Sequence, residues 1–246
     1  MKTLRLIGMA VIAVIMSVNF AACSDEDDNN SNDKKLVKVE FTDGSYKYIE
    51  TYKYDKEGRV TEYQGIDKNV NTGNTEVYTY TYIYTDAKIS ITRSDNDDDI
   101  IYTLNNGIVV SADRGNDDEY FFKYDDNKQL IGITSSSKEF DMTFTWSNDN
   151  IVKSVKTIRN SGMRAETYTY DMTYANISYR FLGSELPFYD SKLDNFLFSY
   201  GYFGKCCKNL PKYMRDFGEV DYQIDNEGYV TGMVDEDGET YRFFYE

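Results

Sequence analysis

FKYDDNKQL, residues Phe122 to Leu130, places two aromatic rings one residue apart, then a run of turn formers, then an aliphatic. Side chains two apart on a strand share a face, so Phe122 and Tyr124 suit a buried face and Lys123 suits water. Asp125-Asp-Asn-Lys128 supplies side chains that bond their own backbone and tolerate left-handed φ, so the chain reverses there. Leu130 then opens a return strand. The unit recurs as YKYDKEGRV from Tyr52 to Val60 and as YQIDNEGYV from Tyr222 to Val230. Looser copies are YTLNNGIV from Tyr102 and FTWSNDNIV from Phe144. Gly58 and Gly228 stand where positive φ is needed. The turns at residues 55, 105, 125 and 147 lie mostly about 20 residues apart, a spacing that fits hairpins joined by further turns.

Alternation continues between the copies. Tyr78, Tyr80, Tyr82 and Tyr84 share one face, and Val77, Thr79, Thr81 and Ile83 the other. Phe140, Met142, Phe144 and Trp146 oppose Asp141, Thr143 and Thr145; Tyr168, Tyr170, Met172 and Tyr174 oppose Thr167, Thr169, Asp171 and Thr173. One aromatic and one Thr-rich face mark an antiparallel sheet with one wet side. About a dozen such strands cannot stay flat, because twist curls them. The expected fold is all-β: an antiparallel meander of repeated hairpins forming a strongly curved sheet or barrel, aromatic face inward. On that reading Phe144, Trp146, Tyr168 and Tyr170 are buried. Residues 36–246 form a single domain, since no Pro/Gly/Ser-rich break divides them.

Residues 183–217 break the alternation. They hold both prolines and the pair Cys206-Cys207. Ser191 with Asp194 fits a capping box, and Tyr189, Leu193, Phe196, Leu197 and Tyr200 repeat at helical spacing. Gly201 and Gly204 lie where a helix stops. One short helical insertion is expected near residues 189–200, closing an open end of the sheet. The loop after it would sit at the rim with Tyr202 or Lys205 facing solvent. Tyr202, Phe203 and Lys205 are the candidate binding residues.

The first 22 residues read as a targeting signal: Lys2 and Arg5, then an apolar run from Leu6 to Phe20. Phe20-Ala21-Ala22-Cys23 resembles the bacterial lipobox, which implies lipidation of Cys23; Phe20 departs from the usual Leu. Ser24-Asp25-Glu26-Asp27-Asp28 resembles the surface-export signal of Bacteroidetes lipoproteins; a plain acidic linker is the other reading. Residues 23–35 form an acidic tether with no apolar residue between Ser24 and Asp33, holding the domain about 20 Å from the lipid.

Chemistry is sparse. The chain has no His, which removes His-based nucleophile schemes and the commonest zinc ligand. Its 42 acidic residues single out no carboxylate pair, although a paired-carboxylate glycan hydrolase stays open as an alternative. No catalytic residue, metal ligand or cofactor is assigned. Calcium at Asp95 to Asp99 or Asp235 to Glu239 competes with plain hairpin turns, since neither matches a full calcium loop. A net charge of -15 argues against nucleic acid. Lys205, Lys208, Lys212 and Arg215 form the one basic patch. Cys206 and Cys207 form either a strained vicinal disulfide or two thiols with one side chain buried.

Gly201-Tyr-Phe-Gly-Lys205 and Asn209-Leu-Pro211, with the hairpins and lipobox, resemble a family of uncharacterised Bacteroidetes lipoproteins classed as a domain of unknown function with porin-like fold. The resemblance implies a barrel-like antiparallel fold and a lipid anchor, and no activity. The unit at Tyr52 is also similar to the YD repeats of Rhs-type shells, in hairpin geometry alone. The functional expectation is an outer-membrane, surface-exposed, non-enzymatic module. Its partners are the membrane, through the anchor, and a glycan or protein met by some of the 24 Tyr side chains. A pore-forming protein is a third reading.

Overall fold

The computed structural model describes residues 34–94, 99–115, 119–159, 165–178, 193–214 and 218–246. Twelve strands follow one another as an antiparallel meander: β1 (Leu36–Asp43), β2 (Tyr46–Tyr54), β3 (Val60–Asn69), β4 (Thr75–Tyr84), β5 (Lys88–Arg93), β6 (Ile100–Asn105), β7 (Ile108–Asp113), β8 (Glu119–Tyr124), β9 (Leu130–Ser135), β10 (Phe140–Ser147), β11 (Asn150–Ile158) and β12 (Glu166–Asp171). After them come β13 (Tyr174–Ser178), helix α1 (Asn195–Ser199), β14 (Asn209–Pro211), β15 (Tyr213–Met214), β16 (Gly218–Glu219), β17 (Asp221–Ile224), β18 (Val230–Val234) and β19 (Thr240–Tyr245). β19 returns to pair with β1, so the 15-stranded sheet runs from β12 back to β1 and on through β19 and β18 to β17. β12 and β17 are its edges, so the strands do not close into a barrel.

The repeated unit has one local construction. Each of five hairpins carries a β-bulge: the partner register skips a residue beside Tyr54, Leu104, Tyr124, Trp146 and Ile224. In every case the extra residue follows the aliphatic that opens the return strand, as Ile131 follows Leu130. A bulge raises local twist and re-aims side chains. The Asp of the unit fixes the turn. Asp125 Oδ1 accepts from the Asn127 and Gln129 amides at 2.9 and 2.8 Å, and Asp225 Oδ1 does the same for Glu227 and Tyr229. The fourth turn residue takes positive φ: Gly58 at 84°, Gly228 at 89° and, without glycine, Lys128 at 61°.

The core lies on the aromatic face. The rings Tyr52, Tyr82, Tyr102, Phe122 and Phe144 are buried, whereas Tyr222 of the last unit is half-buried; the aliphatics Val60, Ile89, Val109, Leu130, Ile151 and Val230 are buried too. The opposite face exposes Lys53, Thr81, Lys123, Thr143, Thr145 and Arg242, with single apolar exceptions such as Ile83 and Phe121. A lipid-facing barrel needs an apolar outer band on every strand, which this face lacks. Three expected core residues are corrected. Tyr168 is 40% exposed, and Trp146 and Tyr170 are only half buried. β12 is an edge strand, and the alternation of its residues does not bring Tyr168 into the core.

Helix α1 is shorter than the sequence suggests. Asp194 is its N-cap, accepting from the Leu197 amide at 2.9 Å. Tyr189 and Ser191 lie outside the described residues. The helix ends in a Schellman motif: the Tyr202 amide donates to the Leu197 carbonyl and the Gly201 amide to the Phe198 carbonyl, with Gly201 at φ 77°. Cys207 carries a free, buried thiol, so the pair forms no vicinal disulfide.

Candidate functional site

Hairpin turns alternate between two ends of the sheet. The turns at 55–59, 106–107, 125–129, 148–149 and 225–229 share one end, here the near end. The helix and its loop fill the aromatic face there. The Phe196 ring lies 5.0, 6.1 and 6.3 Å from those of Tyr52, Tyr63 and Tyr82. The Phe203 ring lies 5.6 Å from Tyr102 and 5.1 Å from Phe122.

Beyond the helix the backbone is stapled to three successive hairpins and then to the link between β12 and β13. The Tyr202 carbonyl accepts from the Val109 amide at 2.8 Å, the Lys205 amide donates to the Lys128 carbonyl at 2.8 Å, and the Lys208 amide donates to the Asp149 carbonyl at 2.9 Å. The Lys212 amide then donates to the Thr173 carbonyl at 2.8 Å. Three loop residues advance one hairpin. Gly204 is held to this path twice, by φ of 82° and because a Cβ there would lie 2.1 Å from the Lys128 carbonyl oxygen.

This geometry corrects the candidate binding residues. Tyr202 is 5% exposed and Phe203 fully buried, so the expectation that Tyr202 faces solvent fails. Tyr202 stacks on Tyr84 at 5.9 Å, and its hydroxyl shares a hydrogen bond with Arg59. Lys205 is exposed, and its Nζ is 2.6 Å from Asp149 Oδ1, an ion pair that holds the Asp149 carboxyl below its usual range. Lys208 and Lys212 are exposed beside it; Arg215 and Cys23 lie outside the described residues. The sequence signal for a pattern-breaking segment is real, but here it marks a clamp.

The far end of the aromatic face is built differently. Among the described residues nothing covers it over β1 to β4. The rings of Tyr241, Phe41, Tyr48 and Tyr46 form a ladder across β19, β1 and β2, with centroids 4.7, 4.4 and 6.1 Å apart. Tyr46, the last ring, is 44% exposed. Tyr78 lies across Gly65, where a Cβ would come within 2.2 Å of the ring. Between Tyr48 and Glu76 in register stands Asp67. Burial, then Glu76, push its carboxyl above the usual range. Its Oδ1 is cut off from solvent and has no hydrogen-bond partner among the described residues. Sequence reading missed this niche because Tyr46, Tyr48 and Asp67 belong to no repeated motif.

Two other acidic features resolve as structure. Asp235 Oδ1 accepts from the Glu239 amide at 2.8 Å, so this flagged calcium stretch is a hairpin turn; of Asp95 to Asp99 only Asp99 is described. Among the described residues no group of three His, Cys, Asp or Glu side chains is arranged to hold a metal. The Glu239 carboxyl is raised by burial and by its hydrogen bond with Asp43. Hydrogen-bonded carboxyls are closer than the roughly 5–9 Å that glycosidase acid and base pairs require. On the polar face a cleft of about 530 Å³ runs between Glu40, Thr42, Lys47 and the turn at Asp237 to Thr240. Within it Glu40 is paired with Lys38 and Lys47.

A family described as a domain of unknown function with porin-like fold matches residues 52–245. The chain belongs to that family. None of the curated proteins matches it. A porin-like protein from Bacteroides uniformis has the same fold: TM-score 0.63 at 20% identity, covering 85% of this chain and 96% of that one. Another from Bacteroides vulgatus gives 0.60 at 12% identity, covering 87% and 99%. In this chain the fold is an open meander with a filled near end and, among the described residues, an aromatic far end that stays partly exposed.

Proposed function

We propose that this chain is a lipid-anchored, surface-exposed binding module of the outer membrane, without enzymatic chemistry of its own, and that its ligand meets the far end of the aromatic face. The observation that carries this reading is the contrast between the two ends. The near half of the face is packed under α1 and its loop, whereas the far half leaves Tyr46, Tyr48, Tyr78 and Tyr80 partly open beside Glu50 and Asp67. Tyr side chains with accessible polar tips suit recognition.

The attachment point supports the same reading. The Lys34 amide donates to the Tyr229 hydroxyl at 3.0 Å, and Lys34 Nζ is 2.8 Å from Glu227, both at the near end. A lipid on Cys23 would therefore tether the near end and turn the far end away from the membrane. A porin-like family with Bacteroides neighbours accords with an outer-membrane address.

Two experiments test the reading. Mass spectrometry of native protein should find acyl chains on Cys23, and Cys23→Ala should release the protein from membranes. An array of glycans and peptides probed with the full chain in detergent should yield a ligand whose binding is lost on Tyr78→Ala with the melting temperature kept. An unmodified Cys23, or a ligand indifferent to every far-end change, overturns it.

A further inference from the structure

Resting on the reading of the far end as a binding face, we propose that it takes an aliphatic polyamine, one ammonium seated beside Asp67 between Tyr48 and Tyr78 and a second reaching the Asp43–Glu239 pair.

The walls come first. Tyr48 stands opposite Asp67 across β2 and β3, and both Tyr48 and Tyr78 lie close enough to Asp67 for its charge to raise their hydroxyl pKa. A cation placed against ring faces with a carboxylate behind them gains from both, most where water is excluded. Asp67 Oδ1 is already out of water and lacks a donor among the described residues. A buried, unmatched acceptor is costly, and a ligand ammonium brings three donors and the opposite charge.

Charge then selects among ligands. Glu76 adjoins Asp67 on β4, and Glu239 bonds Asp43 at the β19–β1 boundary. These two acidic pairs flank the Tyr46–Tyr48 strand. β1 and β3 are two strand spacings apart, about 10 Å, a span that an extended triamine bridges with its methylenes over the rings. Among the described residues the cation at this end of the face is Arg93, and it is engaged, stacked 4.6 Å over Tyr80 with a nitrogen 2.8 Å from the Tyr80 hydroxyl. A neutral sugar would leave the Asp67 oxygen unneutralised, and an anion would meet four carboxylates. The ring faces inside the Tyr241–Phe41–Tyr48 ladder are used up by one another, which leaves methylene-wide edges rather than a flat sugar platform.

The test is calorimetric titration of the full chain in detergent with spermidine, at fixed salt, in parallel with a neutral oligosaccharide panel. Wild type should bind spermidine. Asp67→Asn should weaken it about tenfold, while Asp126→Asn, in an exposed near-end turn, should leave affinity unchanged. Asp67→Asn removes a secluded charge and keeps the shape, so its unfolding curve should match or exceed wild type. Equal losses from the two substitutions would mean unspecific charge attraction and overturn the proposal, as would no spermidine binding. Binding of a neutral ligand that depends on Tyr78, with no amine binding, would overturn the polyamine and leave the binding module standing. Binding of nothing on either panel would overturn both.

Discussion

The Tyr84 hydroxyl donates to the Val60 carbonyl at 2.8 Å, tying the second ring of one hairpin to the aliphatic of the hairpin before it. The relationship repeats. Tyr54 reaches Leu36, Tyr124 reaches Val109 at 2.7 Å, Trp146 Nε1 reaches Leu130 at 2.8 Å, and Tyr174 reaches Ile151 at 2.6 Å. All five acceptor residues are fully buried. These rings are therefore latches, with a bulge beside Tyr54, Tyr124 and Trp146 and regular register at Tyr84, and the meander is fastened hairpin to hairpin.

Loss of one latch leaves a buried carbonyl without its donor, at about 1–3 kcal/mol. Tyr84→Phe and Tyr124→Phe should each lower stability by that amount, and together by nearly the sum, since the sites share no partner. Urea unfolding of the two single variants and the double checks both statements.

The loop after α1 is a clamp, so its buried and exposed residues should separate cleanly. Phe196→Ala removes a ring packed on Tyr52, Tyr63 and Tyr82 and should cost about 3–5 kcal/mol. Lys205→Ala breaks only an exposed ion pair and should change stability by less than about 0.5 kcal/mol. Comparable losses from both would contradict the clamp.

Gly201 and Gly204 both have positive φ, but only Gly204 faces a backbone oxygen at close range; a Cβ on Gly201 would meet only the Gly204 carbonyl, at 3.5 Å. Gly201→Ala should cost about 1 kcal/mol from backbone conformation alone. Gly204→Ala should cost clearly more, because the staple to Lys128 must shift. Thermal unfolding of the pair orders them.

Asp194 is a buried carboxyl whose pKa is raised by burial, an effect that the Leu197 amide and the Tyr82 hydroxyl only partly offset. In the unfolded chain it titrates near about 3.9. A raised folded value means that its contribution is complete below the unfolded pKa and is lost as pH rises through the folded one. Asn keeps the cap without the charge. The Tm difference, Asp194→Asn minus wild type, should become more positive from about pH 4 to pH 8. A difference that turns more negative would mean that the ionised form stabilises the fold.

The hairpins were legible because their cause is local. Alternation, the Asp turn and the glycines act within nine residues, and Tyr52 to Val60 folds as that chemistry dictates. The α1 segment was legible as an interruption, and Phe196 and Gly201 take the expected parts, while Asp194 is the N-cap itself rather than the inner acid of a box headed by Ser191. What the sequence hid depends on long-range neighbours. Tyr168 alternates like Tyr80, yet sits exposed on an edge strand, and Tyr202 reads as a rim residue although the fold lays it against Tyr84. Asp67 stands out only once β2, β3 and β4 are in register.

On the reading proposed above, recognition belongs to the far end of the aromatic face, and the clamp at the near end is structural. The most direct measurement is the affinity of one array ligand for wild type, Tyr78→Ala and Lys205→Ala, each with its unfolding midpoint. The account predicts about a tenfold or greater loss for Tyr78→Ala, an unchanged affinity for Lys205→Ala and folded proteins throughout. Loss of binding with Lys205→Ala and full binding with Tyr78→Ala would contradict it.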